Sequence, residues 1–453
     1  MRCWNIIARC ITGLSVAMPI GLLAQGDQGN GSPYSAYGLG EFVGSTQVSQ
    51  ALMGGLGAAV VDPFSLVSAN PASYVSLQRT CFETGMVVRP TRYKTASEEA
   101  FGRRVGLLGL SMGVPFGKGR WGIGIGVAPV SEVNYNITDA QELGDGTDVT
   151  YNYVGDGGLN QAFIGLGWTV REERDSLNNG YRLSVGANLS YLFGRVEETR
   201  KAIYPENTGL YNTSVVSNLI LRDPTGNLGV HFQGDLRRKM DRSDDGLYFL
   251  AGVAVELPTN LGAEQDQLVT NYALSSRGVE QTYDTVSYVQ GRPGNFALPI
   301  GLRAGFTVYD MRWTLSGEVV VRNWQDLQVS TEGYALPNKL ANSSTYILGG
   351  SYRPAGEIGG SFWERTIYRA GIRYYNDYLV VNGTQLQEIG MSFGVSLPLM
   401  GSTTRSRFNL GTELGQRGTT ANGLIQEHYA TVYLGVTITP DIREQWFKKR
   451  RIE

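Results

Sequence analysis

The chain has 453 residues, 60 of them glycine and 25 tyrosine, with 18% charged residues and a formal net charge of -2. That balance gives no electrostatic case for nucleic acid, which needs a basic surface. Abundant glycine and tyrosine with few charges suit a β-rich chain with many tight turns, built as several small domains or as one large barrel.

The first residues, "MRCWNIIARCITGLSVAMPIGLLAQG", place Arg2 and Arg9 before an apolar run at 11–24. This is the layout of a cleaved signal peptide, expected to end after Ala24. The run is shorter than the roughly 20 residues a membrane helix needs. Gln25 and Gly26 follow where a lipoprotein would carry cysteine, so no lipid anchor is expected. Cleavage removes Cys3 and Cys10 and leaves Cys81 alone, which rules out an internal disulfide or a thiolate zinc site.

From about residue 79 the sequence breaks into about fourteen alternating segments of roughly ten to fourteen residues, the length of a tilted membrane strand. In "RWGIGIGVAP", Trp121, Ile123, Ile125 and Val127 share one face, and Gly122, Gly124, Gly126 and Ala128 the other. "YRLSVGANLSYLFG" sets Tyr181, Leu183, Val185, Ala187 and Leu189 against Arg182, Ser184, Gly186, Asn188 and Ser190. Short turns such as "GKG" at 117–119 take turns with long polar stretches at 134–158, 197–226 and 259–294. Short connections on one side and long ones on the other are the pattern of outer-membrane barrels. A secreted β-sandwich array alternates too. The aromatic residues separate the two readings, because Trp121, Trp168, Tyr181 and Trp313 all fall on the apolar face near turns, as an interfacial girdle requires. The expected fold is therefore all-β, a 14-stranded antiparallel transmembrane barrel over 79–439, with both ends in the periplasm and a basic tail at 440–453.

Motifs for catalysis fail on context. "GLSMG" at 109–113 matches a nucleophile elbow, but Ser111 lies inside an alternating strand, and only His231 and His428 are available as bases. "GIGIG" at 122–126 lacks the helix start that a phosphate loop needs, and reads as small lumenal residues that leave room for a plug. "DRSDDG" at 241–246 reads as a solvated turn. No catalytic residue, metal or cofactor is expected.

Arg365, Arg369 and Arg373 recur at a spacing of four, which on a strand puts them on one face as a ladder of about 26 Å. With Arg303, Arg322 and Arg407 they make a candidate lumenal anion-binding wall for the head of an amphipathic ligand. The competing reading pairs them with Glu318, Glu388, Glu413 and carboxylates of a plug, and it is favoured because unpaired buried charge is costly.

The stretch "MGGLGAAVVDPFSLVSANPASY", with upstream "SPYSAYGLGEF" and downstream "GDGGLNQAFIGLGW" and "SVGANLSYLFG", resembles the outer-membrane long-chain fatty acid transporter family (FadL-like). The resemblance covers essentially the whole mature chain. It implies a fourteen-stranded barrel with an N-terminal hatch at 25–78, whose gating residues fall here on Gly54, Gly55, Asp62, Phe64, Leu66, Asn70, Pro71 and Ala72. Pro71 fixes its own φ and biases Asn70 away from helix, and Asn70 can bond backbone groups without a sheet partner. The family implies a monomeric channel in the Gram-negative outer membrane, contacting the lipid bilayer, for passive, hatch-gated uptake of small hydrophobic or amphipathic molecules. Two departures stand out: an arginine-rich lumen, and a basic tail, "QWFKKRRIE" at 445–453, after the last strand. They support an alternative, a non-transporting accessory barrel subunit of an outer-membrane secretion or assembly complex that docks a protein partner through its external loops or its tail.

Overall fold

The computed structural model describes residues 31–44, 47–144, 146–177, 179–205, 209–241, 244–275, 278–331, 339–356, 360–399 and 405–440. The signal peptide expected at 1–24, and all of the expected tail but its first residue, lie outside the described residues.

One antiparallel sheet dominates, with strands β1 (Glu41–Phe42), β2 (Cys81–Lys94), β3 (Glu99–Phe116), β4 (Trp121–Glu142), β5 (Asp148–Arg174), β6 (Gly180–Ile203), β7 (Asn212–Arg237), β8 (Leu247–Glu256) and β9 (Thr259–Leu274). It continues with β10 (Glu280–Leu298), β11 (Gly301–Tyr309), β12 (Trp313–Arg322), β13 (Gln328–Val329), β14 (Ser343–Tyr352), β15 (Ile367–Val381), β16 (Thr384–Pro398), β17 (Arg407–Arg417) and β18 (Gln426–Ile438). β18 pairs with β2, so the sheet closes on itself as a ring. β8 and β9 are halves of one wall strand, as are β10 and β11: β8 pairs with 227–237 of β7, and β9 with 212–222 above it. Both breaks fall on Leu-Pro, at Leu257-Pro258 and Leu298-Pro299. Proline has no N–H to give the ladder, so the pairing stops there and resumes beyond. β1 and β13 are two-residue additions, which leaves fourteen wall strands among the described residues.

The alternation settles which side each residue faces. Ile164, Leu166, Leu189, Leu228 and Leu315 stand exposed on the outer surface, while Asn188, Ser184, His231 and Thr307 are buried inside. Near the turns, Trp121 stacks on its cross-strand partner Trp168 at 5.6 Å between ring centroids, and Trp313 on Tyr352 at 4.1 Å. Those pairs form an aromatic band at one level.

The long polar stretches expected as external loops are mostly strand. β4 to β7 run 22, 27, 24 and 26 residues, so most of the described residues between 121 and 237 are strand. A 27-residue strand is about 90 Å long, far beyond what a bilayer needs, so these hairpins and β9–β10 project as a continuous sheet. The stretches read as polar because only one face is covered. That face carries Val133, Tyr135, Leu159, Val196, Leu219 and Phe296, packed with Leu39 of the N-terminal segment.

The wall has one split. β3 and β4 pair only between 110–116 and 121–127. They part at Gly109, whose φ of +121° suits glycine and whose added Cβ would stand 2.6 Å from the Val127 carbonyl oxygen. Above the split, β1 takes the free edge of β4, with Glu41 opposite Glu132 and Phe42 opposite Ser131. Closed hydrogen bonding makes such barrels resistant to detergent, so purified protein should migrate differently on a denaturing gel before and after boiling. Identical mobility, or solubility without detergent, would refute a membrane barrel.

Candidate functional site

The lumen is filled by residues 31–44 and 47–80, which hold little regular structure: 3-10 turns at Pro33–Ala36 and Pro71–Ser76, the two-residue β1 and a helical turn at Val48–Ala51. Outside β1 such a backbone has no sheet partners, and every buried N–H and C=O needs one. Wall side chains supply them. The Glu318 carboxylate of β12 accepts from Gly57 N–H at 2.6 Å and Ala58 N–H at 2.7 Å. Glu83 of β2 accepts from Leu66 N–H at 3.0 Å and Ser65 Oγ at 2.7 Å. Asn188 Nδ2 donates to the Ser68 carbonyl at 3.1 Å, and Ser392 Oγ accepts from Gly54 N–H at 3.0 Å.

Asn70 shows why its residue type matters. It is fully buried, caps the turn at Pro71–Ser76 through its Oδ1, and donates Nδ2 to the carbonyl of Ala58 at 2.7 Å and to those of Val253 and Val230 on the wall at 3.3 and 3.4 Å. The wall is carved to match. A Cβ on Gly186 would lie 2.4 Å from the Pro71 carbonyl carbon, and one on Gly252 would lie 2.0 Å from the Ala58 oxygen. Gly122 and Gly124 stand against Tyr74 in the same way.

The other expected hatch residues fall in this layer too. Gly54 and Gly55, at φ of +78° and +94°, turn the chain after the helical turn, a conformation that L side chains resist. Leu66 is buried with Tyr74, Leu77, Cys81 and Phe163, and Ala72 is fully enclosed. The Phe64 ring lies 5.6 Å from the guanidinium carbons of both Arg405 and Arg407.

Among the expected lumenal arginines, five stand beside protein carboxylates. Arg303 bonds Glu318 at 2.8 Å, Arg322 contacts Glu256, and Arg373 reaches Glu388 at 2.7 Å and Glu413 at 2.8 Å. Arg407 and Arg369 flank Asp62 of the plug at 3.2 and 3.5 Å. Burial works to raise the Asp62 carboxyl, and these two guanidiniums outweigh it and hold the group below the ordinary aspartate range. Arg365 is a correction. It ends the helical turn Phe362–Arg365, ahead of β15, so strand spacing does not apply to it and the ladder keeps only Arg369 and Arg373.

An upper charged layer was not foreseen. Glu41 of β1 meets Arg89 at 2.8 Å, Arg417 at 3.7 Å and Arg104 at 3.8 Å, from three different wall strands. Burial works to raise its carboxyl, and Arg89, Arg417 and Arg104 together bring it down to about 2. Arg417 also bonds Asp377 at 2.6 Å, and Ser32 Oγ bonds Glu427 at 2.5 Å. Strand parity was the available signal: Arg407, Glu413 and Arg417 share a face of β17, and Glu83 and Arg89 a face of β2. A cavity of about 380 Å³ is lined both by the β1 segment and by the lower plug layer, and its lining includes arginine and carboxylate groups together with Val87, Leu108, Val130 and Phe163. Ser111 sits mid-strand on β3, and His231 Nε2 donates to the Ala58 carbonyl, 2.8 Å away.

Glu318 is the anchor best suited to test. Glu318→Ala strips two plug N–H groups and Arg303 of their acceptor at once, and removing one partner of a buried pair costs about 3–5 kcal/mol. The temperature at which the unboiled gel band converts should fall markedly. Adding Arg303→Met should recover part of the loss, and an unchanged conversion temperature in Glu318→Ala would refute the anchor.

Solved barrels share this architecture at low identity. The monoaromatic hydrocarbon channel CymD matches with a TM-score of 0.51 and 13% identity, over 90% of this chain and 100% of its own. A Pseudomonas aeruginosa FadL homologue matches with a TM-score of 0.51 and 11% identity, over 88% and 99%. The Pseudomonas putida toluene transporter TodX gives 0.50 and 15%, over 87% and 98%. These likenesses bear out the FadL-like resemblance at the level of fold. No curated protein matches the sequence. The sequence model of one family, BamG, matches residues 6–453, nearly the whole chain, and the protein belongs to the BamG family.

Proposed function

We propose that the protein is a plugged barrel of the Gram-negative outer membrane that serves as an accessory subunit of a protein secretion or assembly complex and is not built mainly as a conduit. One observation carries this reading: the plug is tied to the wall through buried charge. Asp62, Glu41 and Glu318 link plug and wall at three levels, and withdrawing the plug would leave Arg369, Arg407, Arg89 and Glu318 in the lumen without those partners. A gate that opens during uptake needs weaker attachments than these. The projecting sheet of β4 to β7 with β9 and β10 offers a large surface on the far side of the membrane for a protein partner.

Extraction from the native membrane in mild detergent, followed by mass spectrometry, tests the proposal. A stoichiometric protein partner is the expected result; an isolated barrel carrying a lipid-like ligand would overturn it.

A second reading has its own support. The split between β3 and β4 lies beside the cavity, whose lining includes Leu108, Pro129 and Val130, and that combination fits passage of small amphipathic molecules. If the plug blocks such a path, deleting residues 31–75 should raise solute flux through reconstituted bilayers at least tenfold. Unchanged flux would remove the plug from any role in passage.

A further inference from the structure

The outer face of the hairpin β2–β3, with β18 beside it, carries a group of basic side chains that the plug does not use. Arg92 and Lys94 on β2, Arg103 on β3 and His428 on β18 are exposed, while their alternating neighbours Thr91, Tyr93, Glu427 and Tyr429 are buried in the lumen. The strand registers bring them together. His428 stands directly opposite Arg92. Arg92 faces Phe101 and Pro90 faces Arg103, which makes Arg103 the diagonal neighbour of Arg92 at about 7–8 Å.

This group has more cations than counter-ions. Among the described residues, the carboxylate in ion-pair contact with it is Glu99, at 2.5 Å from Arg92 and 3.9 Å from Lys94, while Arg103 forms no ion pair. Other outward arginines at the rim come with their own partner: Arg195 with Glu197, and Arg222 with Glu264.

The height is also specific. Phe116 belongs to the aromatic band beside the short turns, stacked on Trp121. From there to Arg103 is thirteen positions, about 43 Å of strand and about 30 Å along the membrane normal at a tilt of about 45°. An apolar band about 25 Å tall ends just short of that level. On the same face as Arg103 and directly beneath it, Val105 and Leu107 are 55% and 69% exposed, with Leu110 below them.

Guanidinium groups over an apolar strip suit a phosphate whose attached acyl chain lies on that strip. We propose that Arg92, Lys94, Arg103 and His428 form a headgroup site for a phosphorylated glycolipid of the outer leaflet. Arg92 and Arg103 share one phosphate, and Val105, Leu107 and Leu110 cover an acyl chain. The site rests on the outer-membrane placement given above.

The test uses the full-length barrel in phosphatidylcholine nanodiscs with and without bisphosphorylated lipid A, read by native mass spectrometry after detergent release. Wild-type protein should retain lipid A, and the pair Arg92→Gln with Arg103→Gln should lower retention at least tenfold, while Arg195→Gln leaves it unchanged. Equal retention of dephosphorylated lipid A, or equal loss in the Arg195→Gln control, would overturn the site. Displacement of the lipid by millimolar inorganic phosphate would also overturn it, since the ligand would then be the free anion. Each variant is first checked for the unboiled gel band. Barrels that enter nanodiscs yet ignore lipid A refute the site alone, whereas a chain that never enters them refutes the membrane placement and the site with it.

Discussion

A peptide segment inside a closed barrel is cut off both from water and from the sheet. Each of its buried N–H and C=O groups must therefore be met by a wall side chain or stay unsatisfied at a cost of about 1–3 kcal/mol. Most of the lumen follows from this constraint. Glu318 and Glu83 accept plug N–H groups, and Asn188, Ser184, Thr307 and Asn227 donate to plug carbonyls. Where the plug backbone comes too close for any side chain, the wall has glycine, as at Gly186 and Gly252.

Charge then fixes the order of the layers. The Glu318 carboxylate, which accepts two plug N–H groups in the lumen, has Arg303 beside it. The same logic runs the other way for the arginines. Asp62 lies between Arg407 and Arg369, and Glu41 among Arg89, Arg104 and Arg417, so the plug contributes one anion to each of two wall clusters. In the upper cluster Glu41 sits on a two-residue strand hydrogen-bonded to β4, where β3 has turned away. Backbone pairing and ion pairing hold the strap at one place, next to the split in the wall.

Several of these features were legible in the chain. Alternation in 181–193 told inner from outer residues, because a strand has a period of two and the two sides of this wall have opposite chemistry. The resemblance to the FadL-like family pointed to a hatch at the Asn-Pro-Ala stretch, and Asn70 suited it as a residue that can bond backbone groups without a sheet partner. Other features were not readable. The stretch 134–158 looked like a loop because half of its residues face water, and the apolar half finds its cover in Leu39 and in other hairpins, far away in sequence. Arg365 matched strand spacing, but the capping box of Ser361 and Glu364 ends that pattern with a helical turn. Glu41 gave no signal, since its partners come from β2, β3 and β17.

The sequence by itself determined the barrel, its fourteen strands and, where alternation is clear as in 181–193, the side each residue faces, because periodicity acts over a few neighbouring residues; the hatch was what the resemblance to the FadL-like family implied. The tertiary structure alone decided which carboxylate meets which arginine, where β3 and β4 part, and how far the hairpins project. Those depend on strand register and on contacts closed across hundreds of residues, and a single chain read in order does not contain them.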